Sequence, residues 1–106
     1  MSDVLNKVRL LERYVELCNG QTDIALAYTV NKLLEREKAQ LAQTLDRLNA
    51  RLKEFEQRYN MSSEDFYFRF ESGELGDDMD LIEWSATWEM TDHARQALET
   101  LQNESV

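Results

Sequence analysis

The segment Leu41-Ala-Gln-Thr-Leu45-Asp-Arg-Leu48-Asn-Ala-Arg-Leu52-Lys-Glu-Phe55 repeats an apolar side chain every three or four residues, and this spacing sets the fold class. Alternating three- and four-residue steps keep one face of an α-helix apolar, whereas a strand would need a period of two. The pattern extends in both directions. Ala27, Val30, Leu34 and Lys38 precede it and Tyr59 follows it; only Lys38 interrupts the heptads, and its aliphatic stem can lie along the seam. No Pro or Gly falls between Ile24 and Tyr59, so one helix is predicted over this span, with Thr22 or Asp23 as its N-cap.

The flanking segments are helical by the same reasoning. Val4, Val8, Leu11, Val15 and Cys18 form a stripe widened by Leu5, Tyr14 and Leu17; Ser2 or Asp3 can cap its start, and Asn19-Gly20 can end it. Beyond Asn60, Ser62 and Asp65 form an acidic variant of a capping box for a short helix reaching about Glu71. Gly73 and Gly76 bracket a turn, after which Asp77 or Asp78 caps a last helix from about Met79 to Gln102, with fraying expected from Asn103 to Val106. The chain is expected to be all-α: a long coiled-coil-like helix followed by a helix-turn-helix module. Residues 1–60 are read as a dimerisation region and 61–106 as an acidic binding module.

Length argues for a second copy. A 36-residue helix extends about 54 Å, more than a compact domain of 106 residues can cover. A homodimer through Leu34, Leu41, Leu45, Leu48, Leu52 and Phe55 is therefore the expected solution; a C-terminal helix folding back as an intramolecular hairpin is the alternative.

Charge divides the chain. Residues 1–60 hold ten basic and nine acidic side chains, but residues 61–106 hold two basic and twelve acidic ones, so the net −9 is C-terminal. Such a field steers toward a basic partner and away from nucleic acid or anionic lipid, and it also keeps a protein soluble.

No catalytic set emerges. A single Cys and a single His exclude an intramolecular disulfide and a four-ligand Cys/His zinc site. Counting an EF-hand-like loop from Asp78 puts Ile82 and Glu83 where an oxygen ligand and Gly are required, so neither a metal nor a cofactor is expected. No apolar run approaches the ~20 residues of a membrane span and the N-terminus lacks a signal-peptide pattern, so a cytoplasmic, non-enzymatic binding protein is expected.

The segments Phe55-Glu-Gln-Arg-Tyr-Asn-Met-Ser-Ser-Glu-Asp-Phe66, Phe70-Glu-Ser-Gly-Glu-Leu-Gly-Asp-Asp78 and Glu83-Trp84 resemble small helical antitoxins of prokaryotic type II toxin-antitoxin pairs, the partners of TumE-like ribonuclease toxins. The resemblance, over residues 52–90, implies that the acidic half covers a basic RNA-cleaving toxin. The expected toxin-binding set is Phe66, Tyr67, Phe70, Glu74, Asp77, Asp78, Asp80, Glu83 and Trp84. Trp84 and Trp88 can serve the core instead, leaving Phe68, Tyr67 and the acids outside. Residues 11–34 also look like the two helices of a ribbon-helix-helix repressor, which would make Lys7 and Arg9 readers of operator DNA. That fold needs a strand before its first helix, and Asp3 to Leu10 continues a helical stripe.

Overall fold

The computed structural model describes residues 3–103, which form α1 (Asp3–Leu17), α2 (Ile24–Tyr59), α3 (Ser63–Glu71) and α4 (Met79–Gln102). The described residues contain no strand, in agreement with the all-α expectation. The cap proposed at Ser2 and the end of the chain at 104–106 lie outside the described residues.

Local chemistry explains the helix limits. The Leu26 amide donates to Asp23 Oδ1 at 2.9 Å, identifying Asp23 as the cap of α2, and the Asp65 amide donates to Ser62 Oγ at 3.1 Å at the start of α3. Asn60 closes α2 in the left-handed region at φ 54°, with the Met61 amide donating back to the Glu56 carbonyl. After α3, Gly73 adopts φ 83°; the Gly73 and Glu74 amides reach the Phe70 and Arg69 carbonyls, forming a Schellman motif that an L side chain would strain. Asp78 takes the N-cap position of α4 without a side-chain cap bond.

The residues fall into two compact units, 3–34 and 35–103, divided within α2. Residues 35–60 thus group with the C-terminal segment rather than with the expected region 1–60. The N-terminal unit comprises α1 and the opening turns of α2. It has no buried side chain; Val15, Cys18, Leu26 and Val30 are half-buried, and Val4, Leu5, Val8, Leu11, Tyr14, Leu33 and Leu34 are exposed.

In the C-terminal unit α4 runs antiparallel to the second half of α2, and α3 packs against α4. The direction follows from the partners: Tyr59 and Arg58 meet Asp80, Phe55 meets Trp84, and Arg51 meets Glu83. Farther along, Leu41, Thr44 and Leu48 of α2 line an open apolar groove of about 550 Å³ with Met90, Ala94 and Ala97 of α4. The core is Leu52, Phe55, Phe66 and Trp84, flanked by Met61, Tyr67, Phe70, Leu75, Leu81 and Trp88.

This hairpin corrects the expected dimer seam. Leu52 and Phe55 are buried against their own chain and offer nothing to a second copy. Leu41, Leu45 and Leu48 are half-buried, and only Leu34, in the other unit, is exposed. A folded-back helix covers the second half of the stripe, so length alone did not require an intermolecular partner there.

Candidate partner-binding face

Trp84 decides what points inward. Its indole lies parallel to the Phe66 ring at a centroid distance of 3.9 Å and stacks on Phe55 and Tyr59, each at 5.5 Å. Its N–H donates to Ser63 Oγ at 2.9 Å, which satisfies the one polar atom that burial would otherwise strand. Nearby, Thr87 and Thr91 are buried without penalty because each hydroxyl donates to the carbonyl one turn back, at 2.8 Å.

Two of the expected toxin-binding acids hold the hairpin together. Asp80 accepts from Arg58 Nη1 at 2.9 Å and from the Tyr59 hydroxyl at 2.8 Å. The Tyr59 hydroxyl, assisted by Arg58, holds the Asp80 carboxyl below its ordinary pKa. Glu83 accepts from Arg51 through both Nε and Nη2, and Arg51 also donates to Glu54. Arg51 and Arg58 further lie over the Phe55 ring, with guanidinium carbons 4.6 and 5.6 Å from its centroid. Along α2 itself Glu54 pairs with Arg51, while Arg58 reaches across to Asp80 of α4.

The expected set therefore divides. Phe66 and Trp84 have no exposed surface and belong to the core, which corrects their assignment to a contact surface. Tyr67 and Phe70 are half-buried, Tyr67 donating to Glu89 at 2.6 Å. Glu74, Asp77 and Asp78 are exposed and enter no ion pair among the described residues.

A residue absent from that set stands out. Ser63, Phe66, Tyr67 and Phe70 occupy the inward side of α3, which leaves Phe68 on the opposite side at 76% exposure. Glu64 and Asp65 lie one turn before Phe68 and Glu71 one turn after it, all exposed and free of ion pairs among the described residues. Arg69 is the only cation between positions 64 and 78. An aromatic ring that gains from leaving water is thus surrounded by carboxylates that can orient Lys or Arg. The helical spacing of Phe68 against Phe66 and Phe70 already signalled its separate direction.

Lys7 and Arg9, the expected DNA readers, lie on α1 where a ribbon would have to be a strand. Lys7 is 3.5 Å from Asp3 of the same helix.

Comparison of the chain with family models, curated proteins and solved structures found no match.

Proposed function

We propose that the protein recognises a basic protein through the outer face of α3 and the turn that follows, and inhibits that partner by covering its surface. Following the resemblance of residues 52–90, the partner is a toxin ribonuclease and the chain is its antitoxin. One observation carries the reading: Phe68 is exposed between Glu64, Asp65 and Glu71, with Glu74, Asp77 and Asp78 extending the unpaired negative charge. Phe68 supplies the apolar contact, and the acids set orientation and approach rate. Neutralisation is steric and electrostatic; it requires no reaction by this chain.

The test is co-purification with the basic protein encoded by an adjacent reading frame, at low and high salt. Charge reversal at Glu64, Asp65 and Glu71 should abolish capture and toxin neutralisation, and wild-type binding should weaken as salt rises. Capture that survives both the reversal and high salt would instead favour an adaptor that associates through apolar surface.

A further inference from the structure

We infer that α1 is a homodimerisation helix that pairs in parallel with α1 of a second copy, an inference independent of the acidic face. The helix has no buried residue, yet Val4, Val8 and Leu11 lie along one stripe at 76, 55 and 37% exposure. A 15-residue helix is marginal in water without packing. The compact unit containing it buries no side chain among its described residues, so it has no core of its own to hold the helix. One cysteine excludes the intramolecular disulfide, and no cluster of potential metal ligands occurs among the described residues.

Charge selects a second copy over a charged stranger. Residues 1–34 contain four basic and four acidic side chains, while residues 35–106 hold the whole net −9. Two neutral stripes meet without net repulsion. The heptad also fixes direction: with Val4 and Leu11 at d and Val8 and Val15 at a, Lys7 falls at g and Glu12 at the following e. In a parallel in-register pair, g of one helix meets that e of the other, joining Lys7 to the second copy's Glu12. An antiparallel pair would instead set Lys7 beside Tyr14 and Glu12 beside Leu5. The Lys7 contact with Asp3 is between two largely exposed side chains and is readily exchanged.

Light scattering of the full chain across a dilution series should give the mass of two chains, falling to one in the double variant Val8→Glu with Leu11→Glu. The NMR resonance of the Trp84 indole proton checks that the core remains intact in that variant. Lys7→Glu and Glu12→Lys should each raise the dimer dissociation constant about two- to thirtyfold, since a symmetric pair holds the contact twice, and the combined swap should restore it. A wild-type chain that is monomeric throughout, or a dimer indifferent to Val8→Glu with Leu11→Glu, overturns the proposal; failure of the swap to restore affinity overturns the parallel pairing.

Discussion

The indole N–H of Trp84 donates to the hydroxyl of Ser63 at 2.9 Å, tying α4 to the first turn of α3 where neither side chain meets solvent. Replacing Ser63 with Ala leaves the donor without a partner in an apolar stack. The expected cost is about 1–3 kcal/mol, read from urea unfolding midpoints, with a shifted indole-proton resonance. An unchanged midpoint would mean that the hydrogen bond contributes nothing to the core.

Core and contact residues separate by substitution. Trp84→Ala should destabilise the fold by about 3–5 kcal/mol, because it opens a cavity among Phe55, Tyr59 and Phe66. Phe68→Ala should alter stability by no more than about 0.5 kcal/mol and still lower affinity for the basic partner tenfold or more. Equal loss of stability in both variants would place Phe68 in the core.

Acid should weaken the hairpin through Asp80. Its folded pKa is depressed by the Tyr59 hydroxyl and by Arg58, so its contribution is present above the ordinary value of 3.8 and fades as pH falls through the lower folded value. Asp80→Asn should therefore melt below wild type at neutral pH, and the gap should close in acid. A gap that persists to the acid limit would show that ionisation of Asp80 is not its source.

Tyr67 should titrate late. Its hydrogen bond to Glu89 pushes the phenol from 10.0 up to about 12, so the fold favours the neutral ring. That contribution is complete below the ordinary value and is lost as pH rises through the folded one. The phenolate absorbance that disappears in Tyr67→Phe should appear near pH 12, and Glu89→Gln should move it back toward 10. A Tyr67 signal already near 10 in the wild type would remove the proposed bond.

Helix positions were legible because their signals are local. Ser62, Asp23 and Asn60 act within a turn of themselves, and the spacing of Leu41, Leu45 and Leu48 reports a face directly. The occupant of that face was not legible. Leu34 and Leu52 hold equivalent places in the stripe, yet one is exposed and the other buried, because α4 returns along only part of α2. The carboxylates posed the same difficulty. Asp77 and Asp78 enter no ion pair among the described residues, while Asp80 and Glu83, a few positions on, reach Arg58 and Arg51. That distinction depends on the register between two helices, which neither helix encodes alone.

Both tryptophans, Trp84 in its ring stack and Trp88 beside Tyr67, belong to residues 35–103, and residues 1–34 contain none. Intrinsic tryptophan emission consequently follows the acidic unit by itself, whereas peptide circular dichroism sums helix from both units. Recording the two signals through one melt shows whether the N-terminal helices come apart before the aromatic stack or together with it. The protein thus carries a built-in optical label on one of its two parts, and the other is read by difference.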